Sequence, residues 1–187
     1  MEHLESLVTA AQDSDWSWLS IDGTSKDQMQ GWIADALLTQ EKGTEYPFVV
    51  RNIATDAVVG STRYMDVRPA QRGVEVGWTW YSSRKWGTVV NPECKLLLLE
   101  HAFEDWGAIR VQLKTDNNNV HSQRAILKLG ARFEGTLRNH RVRRDGSRGD
   151  SMMYSITAED WENGVKQNLL TRLKSFTGQD GPPDPSV

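Results

Sequence analysis

The chain has 187 residues, 25% of them charged, and a formal net charge of -3. That length suits one sizeable domain with its own core, and the acidic balance excludes any global electrostatic pull toward nucleic acid or an anionic membrane. The longest apolar run, Leu96 to Leu99, is far too short to span a bilayer, and the start MEHLESLVTAAQDSD carries acids where a secretory signal needs basic residues. The expectation is therefore a cytoplasmic protein with neither nucleic acid nor membrane as partner. A single cysteine, Cys94, rules out an internal disulfide and fits a reducing compartment. The eight tryptophans fit a core or a pocket equally well.

Only MEHLESLV precedes a helical stretch expected from Ala10 to Trp18. Ser25 followed by Gln28 predicts a capping box, after which Met29, Trp32, Ile33, Ala36 and Leu37 share a helical face up to about Gly43. From Tyr46 the pattern turns extended. YPFVVRNI, AVVGSTRYMDV and VEVGWTWY read as three antiparallel strands of a meander. The loop RKWGTVVNPECK leads into a helix expected from Asn91 to Trp106, with Asn91 as N-cap and Pro92 at the first helical position. Leu96, Leu99, Phe103 and Trp106 form its stripe, thickened by Leu97, Leu98 and Ala102. IRVQLKTD, from Ile109, is the next strand. Beyond Asn117-Asn118-Asn119 a short helix carries Ala125, Ile126, Leu127 and Leu129 and closes at Gly130. Extended segments at Arg132 to Arg144 and Asp150 to Thr157 flank the hairpin signal Asp145-Gly146. Thr157 caps a last helix with Trp161, Val165, Leu169 and Leu173, and TGQDGPPDPSV is too polar to pack. The order predicts an α+β domain with a mixed, mostly antiparallel sheet, a central parallel step and flanking helices. At such a step the ligand site opens beyond the carboxyl ends of the strands.

Three pieces of the chain then resemble a known family. VEVGWTWY followed by WGTVVNPEC, NNNVHSQRAILKLGARFEGTLRNHR, and MMYSIT are similar to the GNAT superfamily of acyl-CoA-dependent N-acyltransferases, in its RimJ/RimL-like branch of ribosomal-protein N-terminal acetyltransferases. The similarity runs over about residues 45 to 160. Asn119, Ser122, Leu129-Gly130 and Glu134-Gly135 match that branch most specifically. The resemblance implies a single N-acetyltransferase domain over residues 1–176, with 177–187 a disordered tail, and acetyl-CoA as cosubstrate with no metal. The family's pyrophosphate loop is Gln/Arg-x-x-Gly-x-Gly/Ala. Arg84 and Gly87 match it, whereas Val89 replaces the second glycine and Asn91 stands where a small residue is common. Backbone amides exist whatever the side chains, and Val89 fits if its φ is negative. The resemblance thus implies cofactor contacts at Arg84, Trp86, Gly87, Thr88, Val89, Val90, Asn91 and Asn119. The plain alternative is a strand-to-helix turn.

Acyl transfer from a thioester to an amine needs a neutral amine, stabilised oxyanion charge and a proton for the departing thiolate. Glu75 precedes the expected cofactor edge, where related enzymes place a base. Strand alternation sets Glu75 with Gly77, Thr79 and Tyr81 on a polar face, opposite Val74, Val76 and Trp78; the alternative is a solvent-facing glutamate. The family's pantetheine contacts come from strand backbone, here Trp78, Thr79 and Trp80, although Trp78 and Trp80 also read as core. Ser122 is assigned to the leaving thiolate by the resemblance, with Tyr154 as a rival proton donor; without the resemblance Ser122 and Asn119 are helix-start residues. Some relatives carry an acid where Arg141 stands, which puts base duty on Glu75 or changes the substrate. Arg138, Arg141, Arg143, Arg144 and Arg148 make a local basic hairpin, read as a solvated hairpin or as a grip for an acidic substrate or the 3'-phosphate of coenzyme A. Cys94 and His101 lie two turns apart on one helix, about 10 Å, too far for a nucleophile pair. His3, His121 and His140 lack metal-ligand spacing, and His140 is a further substrate-site candidate.

The expected function is direct acetyl transfer from acetyl-CoA to a primary amine: a protein N-terminus, an amino acid or a small amine. The alternative is a GNAT-like acyl-CoA-binding or regulatory module without transfer. Relatives begin with a strand before the first helix, so its shortening here leaves an edge that a homodimer partner would cover.

Overall fold

A computed structural model of the chain describes residues 1–176; the tail expected over 177–187 lies outside the described residues. In chain order the elements are α1 (Leu4–Ala11), α2 (Lys26–Glu41), β1 (Tyr46–Arg51), β2 (Val58–Arg68), β3 (Gly73–Tyr81), α3 (Val90–Glu100), β4 (Arg110–Asp116), α4 (Val120–Leu127), β5 (Arg132–Val142), β6 (Arg148–Thr157), α5 (Ala158–Asp160) and α6 (Lys166–Phe176), with a π-helical turn at His101–Asp105 and a kink at Asn163 and Gly164 before α6. The strands form one sheet in the order β1-β2-β3-β4-β6-β5. Every neighbouring pair is antiparallel except β3–β4. The α+β architecture expected from the residue pattern is therefore present, parallel step included. Among the described residues no helix is long and apolar enough to cross a membrane.

Local chemistry starts and stops these elements where side chains can satisfy backbone groups. Ser25 caps α2, accepting from the Gln28 amide at 3.4 Å, while Gln28 Oε1 accepts from the Asp22 amide instead of closing a reciprocal box. Thr157 and Asp160 make a full capping box on α5, and Gly130, at φ 94°, follows α4. The first helix differs from expectation. It covers Leu4–Ala11 and stops before Asp13-Ser14-Asp15. Asp15 bends the chain locally by accepting from the Ser17 amide at 2.9 Å and the Trp18 indole at 3.1 Å.

The sheet separates two apolar clusters. On one face Val74, Val76, Val111, Leu113, Tyr154 and Ile156 pack under α3, α4 and α6. On the other, Trp80 joins Leu7, Ala11, Trp16, Met29 and Trp32 of the α1–α2 layer. The stripe expected for α3 is buried at Leu96, Leu99 and Phe103, with Leu98 and Ala102, but Leu97 is 61% exposed, Trp106 is 39% exposed, and Lys95 joins the buried face against the sheet. At the far end of α3 its π-helical turn and the kinked segment before α6 face each other through the Phe103–Trp161 ring stack at 5.4 Å. They line a cavity of about 380 Å³ with Glu104 and Lys166.

Gly60 meets Trp80 across the β2–β3 pairing, and a Cβ there would stand 2.2 Å from the Trp80 carbonyl oxygen. Gly31, inside α2, has nothing within 4 Å of its own missing Cβ. Gly60→Ala is expected to destabilise by about 3 kcal/mol and Gly31→Ala to stabilise by about 0.7 kcal/mol, both read as shifts of the urea midpoint.

Candidate active site

The β3–β4 pairing is short. Gly73, Val74 and Glu75 pair with Arg110, Val111 and Gln112, and beyond them the strands part. From Val76 onward β3 pairs only with β2, leaving its other edge open toward the loops that begin α3 and α4. Both helices start at the carboxyl ends of the parallel strands, so their free amides converge on one edge. The stacked rings of Trp86 and His121, 5.2 Å between centroids, tie the two starts together.

Between β3 and α3 the chain makes a 3-10 turn at Ser83–Lys85, becomes left-handed at Gly87 (φ 74°) and enters the helix through Val89 at φ -62° and ψ -22°. The negative φ lets Val89 stand in place of a glycine without backbone strain. Val89, not Asn91, is the N-cap, and it offers no side-chain cap; Asn91 and Pro92 lie inside the first turn, where N–H groups lack helical partners in any case. Thr88 supports the bend by donating to the Lys85 carbonyl at 2.8 Å and accepting from the Val90 amide at 3.4 Å. The amides of Gly87, Thr88 and Val89 donate to no group among the described residues. Arg84 is already engaged by Asp13 at 3.1 Å, and Asp13 also accepts from Ser82. On α4 the Asn119 side chain caps the helix by accepting from the Ser122 amide at 3.0 Å, and Ser122 is half-buried. Arg84, Trp86 to Asn91, Asn119 and Ser122 thus share one edge.

The strand face expected for Glu75 is not the one observed. Trp78 is left-handed at φ 49°, and the β2–β3 register slips between Ser61 and Arg63. This bulge inserts one residue and reverses the alternation. Thr79 and Tyr81 turn toward α3, while Glu75, Trp78 and Trp80 share the α1–α2 side. Glu75 is 2% exposed. Its carboxylate accepts from Gln112 Nε2 at 2.8 Å and pairs with Lys114 Nζ at 3.0 Å, so it is oriented instead of facing bulk water. Gly77 lies beside it, and a Cβ there would come 3.3 Å from a Glu75 oxygen. Tyr154 lies on the opposite face, in the core against Phe133 at 5.5 Å, where burial pushes its hydroxyl pKa up.

The arginine hairpin is neither solvated throughout nor free to grip a substrate. Arg143 holds Asp116, which is 1% exposed, through two hydrogen bonds of 2.9 Å. Arg141 adds a longer contact to Asp116 and donates to the Trp18 carbonyl at 2.8 Å, and Arg144 donates to the Ile21 carbonyl at 3.2 Å. Burial alone would raise the Asp116 pKa, but Arg143, the Asn118 amide and Arg141 hold it below the usual carboxylate value. The hairpin thereby straps the segment between α1 and α2 over the Glu75 face. His140 on the same hairpin reaches Ser151 Oγ at 2.9 Å. No group of three His, Cys, Asp or Glu side chains among the described residues could hold a metal ion.

Comparison with known proteins bears on this geometry. The profile of the acetyltransferase (GNAT) domain matches residues 1–132, more than half of the chain. The chain belongs to the GNAT acetyltransferase family. Among solved structures, the GNAT fold recurs in a GCN5-related N-acetyltransferase from Brucella melitensis, at TM-score 0.83 and 24% identity over 92% of this chain and 78% of that one. A protein from T. thermophilus assigned to the acetyltransferases matches at TM-score 0.77 and 31% identity over 92% and 89%. RimJ from Mycobacterium smegmatis, solved with CoA-disulfide, matches at TM-score 0.75 and 18% identity over 91% and 85%. Among curated proteins no sequence match to this chain is found. The chain is a GNAT-type N-acetyltransferase, a family whose cosubstrate is acetyl-CoA.

Two residues of this GNAT domain escaped the sequence reading: Asp116, the anchor of the hairpin, and Lys95. A lysine at i-4 to Leu99 and i-7 to Ala102 was the available signal for the second. Lys95 is 5% exposed, and Nζ donates to Thr79 Oγ1 at 2.8 Å. Burial lowers its pKa from 10.5 to about 8, against a small opposing contribution from Cys94. Between those two pH values the unfolded chain binds more protons than the folded one, so this group makes stability rise with pH from about 8. Below about 8 both states are protonated and the burial penalty is fully present. Lys95→Met is therefore expected to stabilise the apoprotein at pH 7 by about 2 kcal/mol, and to flatten the rise between pH 7 and pH 10 in urea denaturation.

Proposed function

We propose that the protein transfers the acetyl group of acetyl-CoA directly to a primary amine, with the loop from Arg84 to Asn91 as the pyrophosphate cradle and Glu75 as the base. One observation carries the reading: the free amides of Gly87, Thr88 and Val89, the open edge of β3 and the oriented Glu75 carboxylate meet where β3 parts from β4. The cosubstrate supplies an acetyl group already activated as a thioester. The residues present fit it, since the left-handed Gly87 and the helical Val89 point successive N–H groups outward as an anion site requires. The edge of β3 that β4 leaves open along Trp78, Thr79 and Trp80 then offers ladder hydrogen bonds to the pantetheine arm, and Trp86 and Asn119 border it. Glu75 accepts the ammonium proton, directly or through one water, from the face that Arg141 and Arg144 cover. Ser122 donates toward the leaving sulfur from the α4 side, whereas the buried position of Tyr154 argues for a packing role. A protein N-terminus is the favoured acceptor, supported by the fold shared with RimJ.

The ion pair between Glu75 and Lys114 favours a second reading, an acyl-CoA-binding module without transfer. Incubation with acetyl-CoA and a mixture of N-terminal peptides, amino acids and diamines, read by mass spectrometry, separates the two. Acetylation of one amine class is expected. Glu75→Gln should then lower kcat about 100-fold, and Ser122→Ala about tenfold, with the KM for acetyl-CoA changed less than about twofold. Thermal stabilisation by desulfo-CoA without acetylation of any acceptor would establish the binding module.

A further inference from the structure

Among the described residues Lys95 is a buried cation without an acid. The other buried charges of the fold have one: Arg63 pairs with Glu45 at 2.9 Å, Glu75 with Lys114 and Asp116 with Arg143. Lys95 has only the hydroxyl of Thr79, itself 2.8 Å from Thr62 Oγ1. An unpaired buried ammonium opposes folding unless negative charge reaches it in another state of the protein. We propose that Lys95 is the buried counter-charge of the cofactor's pyrophosphate, acting from behind the first turn of α3, so that binding of CoA and protonation of Lys95 are coupled. The inference rests on reading the Arg84 to Asn91 loop as the cradle.

Position and surroundings carry the argument. Helical side chains lean toward the N-terminus, so Lys95 lies over the turn that begins with Val90, about 7.5 Å along the axis. Its partner Thr79 directly follows Trp78, within the edge of β3 that is open from Val76 onward. From α3 itself, Cys94 and Glu93 are the neighbouring titratable groups; from β3 and β2, Tyr81 and Tyr64 face the same layer. Burial pushes the Cys94 thiol and both tyrosine hydroxyls up, so these three stay neutral in the working range. Glu93 is exposed, and Glu75 is on the other face of the sheet with Lys114. The cradle amides hold the phosphates from the front, and Lys95 adds a full charge behind them in a medium that screens poorly. Linkage makes the effect reciprocal: a ligand that favours the ammonium is itself held more tightly when the ammonium is present.

Calorimetric titration of the whole chain with desulfo-CoA, from pH 6.5 to 9.5 in buffers of differing ionisation heat, tests the coupling. The wild type is expected to lose about tenfold in affinity between pH 7 and pH 9.5 and to take up part of a proton on binding near pH 8. Lys95→Met should bind about tenfold more weakly at pH 7 with a flat profile, and Lys95→Arg should bind tightly with a flat profile. Proton uptake by the wild type needs no variant, so the test survives a variant that does not fold. A wild type with no proton uptake, or a folded Lys95→Met with unchanged affinity and pH profile, overturns the counter-charge. Loss of the Lys95 dependence with dephospho-CoA overturns the assignment to pyrophosphate. Absence of desulfo-CoA binding to the wild type at every pH brings down the cradle reading, and the inference with it.

Discussion

The site depends on one unit of backbone, Trp78 in the left-handed region at φ 49°. A bulky L-residue there costs on the order of 1–3 kcal/mol, so its neighbours must hold it. They do so through the ring: Trp78 packs edge-on to Trp32 at 5.8 Å, and the Arg63 guanidinium lies over both indoles, 4.2 Å from Trp32 and 5.2 Å from Trp78. Desolvated cation–π contacts are worth up to about 2 kcal/mol, comparable with the strain. The bulge then sets three things together. It reverses the facing of β3, sends Thr79 to Lys95 and leaves Glu75 on the α1–α2 side. The strands part after Glu75, just before the bulge, so the left-handed residue stands at the mouth of the opening.

Charge on the α1–α2 side of the sheet is already organised by ion pairs and hydrogen bonds within the protein. An exposed ion pair contributes at most about 1 kcal/mol, whereas breaking a buried pair costs about 3–5 kcal/mol. By that measure the Arg84–Asp13 contact contributes little and the Arg143–Asp116 contact a great deal. Asp116 ends β4, so the carboxylate that anchors the hairpin also fixes the strand that flanks the opening. Arg141 and Arg144 direct their donors to the Trp18 and Ile21 carbonyls, which have no strand or helix partner of their own. The basic hairpin is therefore mainly a positioning device.

Short-range signals were legible where a side chain satisfies its own backbone. Ser25, Thr157 with Asp160, Asn119 and Gly130 mark their helix ends as the pattern predicts, and period-two alternation locates all six strands to within a few residues. Long-range geometry was not legible. Alternation along VEVGWTWY places Thr79 with Glu75, because nothing local marks Trp78 as a bulge; its cause is the ring packing on Trp32 and Arg63 from other elements. The same limit hid Lys95. A lysine among leucines reads as solvent-facing, yet Lys95 lies on the face that buries Leu99 and Ala102, while Leu97 is the residue left exposed. The hairpin arginines read as a cluster, while the carbonyl partners of Arg141 and Arg144 lie more than a hundred residues away in sequence.

The altered loop shows why a motif is better judged by backbone than by letters. Glycine is valuable in a phosphate loop for two separate reasons, positive φ and the absence of a side chain at the ligand. Here the two are divided. Gly87 supplies the left-handed step at φ 74°, and Val89 needs none because it is already helical. What replacing a second glycine forfeits is closeness of approach, not the number of amides. A cradle that holds its anion at slightly longer range gains more from charge placed behind it, because hydrogen bonds weaken steeply with distance and a poorly screened Coulomb field weakens only gradually. On the proposed reading of the loop, the valine and the lysine one turn and a half further along the helix act on the same anion.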